Sequence, residues 1–134
     1  MRDLVFLPER DELLALSWDG VLAGNTEEER ALNLLQIWDL RSRTVSKTAS
    51  GMGTIQAISV ALDAKRMVAL NMEGRLSLLA LPSFDATWAV DGADATDVSI
   101  TRDGRRLVTG DDKGSLRLYD GLTGKLQWTK KVLA

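Results

Sequence analysis

Short runs of alternating apolar and polar residues recur along most of this chain, and they are clearest between Val98 and Trp128. The apolar positions there fall into four groups: Val98 with Ile100, Leu107 with Val108, Leu116 with Leu118 and Tyr119, and Leu126 with Trp128. Alternation with a period of two over such short lengths is the pattern of a β-strand that buries one face. Gly and Asp-Gly separate the groups, and both are typical of hairpin turns. The stretch therefore predicts one antiparallel sheet of four strands.

The same pattern recurs at a nearly fixed distance along the chain. A shift of 40 residues places Gly114 on Gly74. The front half of an earlier copy needs a shift of 54, which places Gly74 on Gly20, whereas its back half needs a shift of only 41. The two shifts differ by 13, which indicates an insertion in the first copy between Gly20 and Asn33. A period near 40 residues indicates a repeat architecture.

Residues 1–134 are thus expected to form a single segment of three copies. The first spans about residues 4–48 with its insertion at 21–32, the second about 55–90, and the third about 96–130. The predicted strands are Leu4–Leu7, Leu13–Trp18, Leu34–Asp39, Thr44–Thr48, Ile55–Val60, Arg66–Asn71, Arg75–Ala80, Thr87–Val90, Thr96–Thr101, Arg106–Asp111, Ser115–Asp120 and Lys125–Lys130.

The ends of several strands carry a recognisable motif. The first copy contains Trp18-Asp19-Gly20 and a later strand that ends in Trp38-Asp39, and the third copy contains Lys113-Gly114 before a strand that ends in Tyr119-Asp120. These features resemble WD40 repeats, which build β-propellers. The resemblance implies an all-β fold of β-propeller blades: three four-stranded antiparallel sheets that form an incomplete ring needing further blades.

The chain departs from the WD40 pattern in two respects. It contains no histidine, so the histidine-containing hydrogen-bond network of many WD40 blades cannot form, and Lys113 stands where a structural aspartate is expected. The second copy retains only Glu73-Gly74 and Leu78-Leu79-Ala80. The segment Thr123–Trp128 is equally similar to the repeats of quinoprotein-like propellers, which share the blade architecture.

Composition narrows the class of protein. With 134 residues and 45% hydrophobic residues, the chain has the size and composition of one globular domain. Its net charge is −2 with both signs interleaved, which gives no electrostatic surface for nucleic acid or an anionic membrane. The chain has no cysteine, and Met1–Glu9 lacks the apolar core of a secretory signal. We therefore expect a cytoplasmic protein.

Three blades cannot close a ring, because propellers use about four to eight. If each terminal face carries roughly 400–600 Å² of apolar area, its burial contributes about 10 kcal/mol at about 25 cal/mol per Å². That rivals the net stability of a whole domain, which is about 5–15 kcal/mol. We therefore expect the chain to associate with further blades, either as a dimer or trimer of copies stacked head to tail or with the remainder of a longer chain.

The residue types also limit the chemistry. Without histidine and cysteine, the usual nucleophilic triads, thiol catalysis and imidazole metal sites are excluded. Asp111 and Asp112 are expected to polarise a hairpin turn rather than share a substrate, because neighbours on a strand point to opposite faces. The segment Glu27–Glu29 lacks the interleaved glycine of a calcium loop and is predicted to be a solvated acidic loop. No catalytic, cofactor or metal residues are identified, and we expect the protein not to be an enzyme.

Aromatic and basic residues have structural interpretations. Trp38, Trp88 and Trp128 lie at strand positions and are expected to pack, whereas Trp18 lies beside the insertion and is the more plausible exposed aromatic residue. Arg102, Arg105 and Arg106 flank the Asp103-Gly104 turn and are predicted to form a soluble hairpin tip, with anion binding as a minor alternative.

Two functional classes remain open. The first is an interaction scaffold in which loops on one rim of the propeller bind a protein partner. In WD40 propellers the turn between the second and third strands of a blade often meets partners, and the insertion Val21–Leu32 occupies that turn. A single helical turn, with Thr26 and Glu29 as a capping box, or plain disorder is predicted for it. The resemblance implies that the binding residues include Trp18, Asp19, Glu27, Glu28, Glu29 and Arg30. The alternative is a quinoprotein-like enzyme or a small-ligand binder that uses the central channel.

Overall fold

The computed structural model describes residues 3–7, 11–18, 33–49, 53–63 and 65–132. These residues form twelve β-strands arranged as three four-stranded antiparallel sheets, which confirms the predicted all-β class and the number of sheets. Across these ranges the structure contains no helix that is long and apolar enough to cross a membrane. The chain divides into two compact units, Met1–Thr54 and Ile55–Ala134.

The first unit contains the first sheet, in which neighbouring strands follow one another in sequence. Its strands are β1 (Asp3–Leu7), β2 (Glu12–Trp18), β3 (Asn33–Asp39) and β4 (Thr44–Thr48). Alternation places one set of apolar side chains on one face of the sheet, where they are buried to 1% exposure or less: Leu14, Leu16, Leu35 and Ile37. The opposite face carries Leu4 and Phe6, which are 53% and 69% exposed.

The second unit contains the other two sheets. The second sheet consists of β5 (Ile55–Ala61), β6 (Arg66–Asn71), β7 (Leu76–Ala80) and β8 (Ala86–Val90). The third sheet consists of β9 (Asp97–Ile100), β10 (Arg106–Gly110), β11 (Ser115–Asp120) and β12 (Leu126–Lys131). The predicted strands therefore lie within one or two residues of the observed bounds.

Strand register shows that the three sheets are copies of one unit. The pair Ile100 and Leu107 in the third sheet corresponds to Val60 and Met67 in the second. Each sheet also has one irregularity at the same point between its third and fourth strands: Ile37/Trp38, Leu78/Leu79 and Leu118/Tyr119. The alignment of the sequence copies is therefore also an alignment of structure.

The turn between the third and fourth strands is built alike in all three sheets. Counted from the last residue of the third strand, the fifth residue has a left-handed backbone conformation. Its φ is 61° at Arg43, 63° at Phe84 and 77° at Gly124. Each of these residues donates its N–H over 2.8 Å to a carbonyl four residues earlier: Asp39, Ala80 and Asp120. Glycine adopts this conformation without strain, so the third sheet has the least strained of the three turns.

Candidate functional site

The second and third sheets pack face to face, and this contact forms the core of the second unit. One face of the second sheet, here called its tryptophan face, contributes Val68, Leu70, Leu76, Leu78 and Trp88. The third sheet meets it with the face here called its docking face: Val98, Ile100, Leu107 and Tyr119. Strands β5 and β6 contact β9 across this boundary. A contiguous cluster of buried apolar side chains therefore lies between two consecutive sheets and holds them together.

Trp88 fits against the β11–β12 turn with little space to spare. Its indole Nε1 donates a hydrogen bond of 2.9 Å to the Gly121 carbonyl. A Cβ added at Gly124 would lie 2.6 Å from Cε3 of the Trp88 ring and 2.7 Å from Cδ2. The indole therefore occupies the space that any side chain at Gly124 would need. Trp88 packs, as its strand position predicts, but the two glycines on which it packs, Gly121 and Gly124, were not predicted from the sequence.

Hydrogen bonds at the edge of the same contact fix its register. Ile100 donates its backbone N–H to Ser59 Oγ at 3.1 Å, and Asp63 donates its backbone N–H to the Arg102 carbonyl at 3.0 Å. Arg102 also forms an ion pair of 3.3 Å with Asp63, but both side chains are more than half exposed. Exposed ion pairs contribute about 0–1 kcal/mol, so the backbone bonds matter more.

The third sheet has a tryptophan face of its own, and this face is open. Its equivalent residues are Val108, Leu116, Leu118 and Trp128, because Leu118 pairs with Trp128 as Leu78 pairs with Trp88. The first three are half-buried, and Trp128 is 46% exposed. Within the described residues Trp128 therefore does not pack as Trp88 does, and its packing against a further sheet stays a prediction. The reason is tertiary, since no described residue of this chain occupies the position that the β11–β12 turn takes over Trp88.

The turns between the second and third strands form a polar rim at one end of the second unit. Asn71 Oδ1 accepts hydrogen bonds from the backbone N–H groups of Glu73 (3.0 Å) and Arg75 (2.9 Å). In the third sheet Asp111 Oδ1 accepts equivalent bonds of 2.9 Å from Lys113 and Ser115. This confirms that Asp111 polarises a hairpin turn.

The electrostatics of this rim follow from those bonds. The hydrogen bond from the Ser115 N–H holds the pKa of Asp111 below its ordinary value, with Lys113 N–H and the Arg117 charge acting in the same direction against partial burial. Arg117 lies 3.8 Å from Asp111 and donates a hydrogen bond of 3.1 Å to the Asp94 carbonyl. Asp111 is thus held as an anion that organises its own turn.

A cavity of about 170 Å³ lies at the same end of the unit, between the β6–β7 turn and residues 92–95 that follow β8. The Ala93 N–H donates a hydrogen bond of 2.9 Å to the Gly74 carbonyl and closes one side of it. The volume is below the roughly 300–1,000 Å³ of pockets that enclose drug-sized ligands. Among the residues that the structure describes, no group of three or more Asp or Glu side chains is arranged to hold a metal ion.

The predicted rim residues are only partly covered by the structure. Trp18 ends β2, where its backbone pairs with Asn33 at the start of β3. The other five predicted binding residues lie outside the described residues: Asp19, Glu27, Glu28, Glu29 and Arg30. The helical turn or disorder predicted for the insertion also falls outside them. Their contribution to binding stays a prediction.

The predicted hairpin tip lies at the β9–β10 turn. Arg102, Arg105 and Arg106 are exposed, as expected for a solvated tip. Asp103 accepts hydrogen bonds from Thr101 Oγ1 (2.7 Å) and the Arg105 N–H (3.0 Å), and the first of these lowers its pKa most. The Asp103 carboxylate is therefore engaged in forming the turn itself.

Comparisons with known proteins do not assign a family. No protein-family model matches the chain, and no curated protein matches it. The similarity to WD40 repeats consequently remains a resemblance carried by the residues quoted above.

Proposed function

We propose that this chain is a non-catalytic, WD40-like interaction scaffold that stacks with further blades and presents rim loops to a protein partner. The main binding element is the connection between β2 and β3, which carries Trp18, Asp19, Glu27, Glu28, Glu29 and Arg30. Three acidic side chains in succession favour a partner surface that carries Lys or Arg.

The observation that carries the proposal is a difference between otherwise equivalent hairpins. The connections equivalent to β2–β3 are β6–β7 in the second sheet and β10–β11 in the third, and both are short turns. Each turn is held by two hydrogen bonds to a side-chain Oδ1 atom, that of Asn71 or of Asp111. In the first sheet the paired strands extend to Trp18 and Asn33, and fourteen residues connect them. Long connections on a regular scaffold are where binding residues concentrate.

The test removes residues 21–32 and leaves Asp19-Gly20 between Trp18 and Asn33. Because Trp18 and Asn33 are paired, the remaining Asp-Gly is a favourable two-residue hairpin turn, and the sheet is expected to fold. The immobilised full chain captures partner proteins, which are then identified. The immobilised deletion variant should no longer capture them. A second variant, with Glu27, Glu28 and Glu29 changed to Gln, separates the charge of the loop from its presence.

The matched control is Asp85→Asn, which removes one exposed negative charge in the β7–β8 turn. It should retain every partner that the full chain binds. If the deletion variant captures the same partners as the full chain, the β2–β3 connection is not the binding element and this proposal is wrong.

A further inference from the structure

The chain exposes two apolar faces that occupy complementary positions in the repeat. The tryptophan face of the third sheet is open, with Trp128 at 46% exposure. The docking face of the first sheet is also open: Leu4 and Phe6 are 53% and 69% exposed. Leu4 and Phe6 correspond by register to Val98 and Ile100, the residues with which the third sheet covers the second.

The remaining positions of this docking face are apolar as well. Leu13 corresponds to Leu107, and Trp38 corresponds to Tyr119. Both are half-buried in this chain. The first sheet therefore presents the same pattern of large apolar side chains that the third sheet uses to cover Val68, Leu76, Leu78 and Trp88. Contiguous exposed apolar side chains are typical of interfaces.

We infer that a second copy of this chain covers Trp128. The docking face of the second copy's first sheet packs on the tryptophan face of the first copy's third sheet. This inference rests on the proposed stacking with further blades and names the occupant. The contact is heterologous, because the two surfaces differ, so an open assembly keeps one free face of each kind at its two ends until a ring closes. The template for the contact is the packing of the second and third sheets within the chain.

The turn position of Gly124 differs between the intermolecular contact and its template. Trp88 packs on Gly124, but the equivalent residue in the turn of the first sheet is Arg43, which has the same left-handed backbone conformation. A Cβ at this position would lie 2.6 Å from the indole in the template geometry, so Trp128 must tilt or shift over Arg43. The contact between copies is consequently looser than the contact within the chain.

Head-to-tail association has a direct test that uses two blocked variants. Phe6→Glu places a charge on the docking face, and Trp128→Glu places one on the tryptophan face; both positions are already exposed, so both variants should fold. Each variant alone retains one intact face and should run as a monomer of 14.7 kDa by native mass spectrometry and light scattering. Mixed together, they should form a capped 1:1 dimer through the two unblocked faces. The unmodified chain should form a closed dimer or trimer, or longer assemblies.

Met72→Glu is the matched control, since Met72 is 62% exposed but lies in the β6–β7 turn, outside both faces. It should assemble like the unmodified chain. Far-UV circular dichroism of all variants verifies that they are folded. A folded, unmodified chain that stays monomeric at high concentration, or a mixture of blocked variants that forms no dimer, would overturn the inference. Either result leaves partner capture by residues 21–32 untouched, so the two proposals fail separately.

A gain of affinity provides a second test. Arg43→Gly restores glycine opposite Trp128, so that the Trp128 indole can donate to the Leu40 carbonyl as Trp88 donates to Gly121 in the template. One well-formed hydrogen bond should lower the dissociation constant between copies by about tenfold. Arg41→Gly removes the same charge from the same turn, and its exposed ion pair of 2.9 Å with Asp11 contributes little. It should leave the dissociation constant unchanged. Equal effects of the two substitutions would contradict the assigned geometry.

Discussion

Replacing Gly124 by alanine tests how the second and third sheets hold together. The substitution adds one methyl group at a residue whose φ is +77°, and this methyl group would lie 2.6 Å from Cε3 of Trp88. The matched control is Gly92→Ala, because Gly92 has a φ of +80° and nothing lies within 4 Å of the position of its added Cβ. Both variants carry the same backbone cost, and only one carries the clash.

The expected magnitudes follow from these two contributions. A left-handed alanine costs about 1 kcal/mol relative to glycine. Carbon atoms prefer a separation of about 3.5–4.0 Å, so the Trp88 ring must move by about 1 Å, and such overpacking costs about 1–3 kcal/mol. We therefore expect Gly92→Ala to lower the free energy of unfolding by about 1 kcal/mol and Gly124→Ala to lower it by about 3 kcal/mol.

Equilibrium urea unfolding followed by far-UV circular dichroism measures both values. The difference of about 2 kcal/mol corresponds to roughly a 30-fold change in the unfolding equilibrium. A double-mutant cycle with Trp88→Ala isolates the clash, because Gly124→Ala should cost only about 1 kcal/mol once the ring is absent. If Gly124→Ala and Gly92→Ala cost the same in the original background, Trp88 does not pack on Gly124 and the described contact between the sheets is wrong.

Three further predictions concern single residues of the second unit. Asp111→Ala should lower the urea midpoint because two backbone N–H groups lose their acceptor. Asp111→Asn should retain most of the stability, because Asn71 accepts the equivalent bonds in the second sheet. Asp112→Ala should have no effect. The folded-state pKa values of Asp103 and Asp111 are lowered, so their contribution to stability is complete above the unfolded-state value and is lost as the pH falls through the folded-state values. The urea midpoint should therefore decrease as the pH is lowered below about 4. The decrease should be smaller in a variant in which both residues are Asn. Thr109 Oγ1 is buried without a hydrogen-bond partner among the described residues, so Thr109→Val should raise the free energy of unfolding by about 1 kcal/mol.

Local pattern was sufficient to predict the strands and their pairing. Alternation with a period of two and the glycines between runs located all twelve strands, because these signals depend only on neighbouring residues. The repeat added the register, since aligning Leu118 with Leu78 aligns their partners Trp128 and Trp88 too. A one-residue slip would reverse the faces of a strand, which makes the register robust.

Contacts between sheets were not predictable in the same way. Trp88 and Trp128 occupy equivalent positions in equivalent sheets, yet Trp88 is half-buried and Trp128 is 46% exposed. The difference depends on whether a sheet follows, which no local pattern encodes. A signal for the contact did exist in the sequence: the turn on which Trp88 packs has Gly124 where the two equivalent turns have Arg43 and Phe84. The rim residues were predicted by resemblance alone, and the structure describes only the backbone of Trp18 among them.

Hydrogen exchange of the indole N–H groups tests the sheet-docking contact most directly. In the Phe6→Glu variant, whose docking face is blocked, the indole of Trp88 should exchange slowly because it donates to Gly121, and that of Trp128 should exchange as a solvent-exposed group. In the unmodified chain at high concentration, Trp128 should become protected as well. Equal exchange of the two indoles in the blocked variant would contradict the docking of the third sheet on the second through Trp88. No change at Trp128 with concentration would contradict its cover by a second copy.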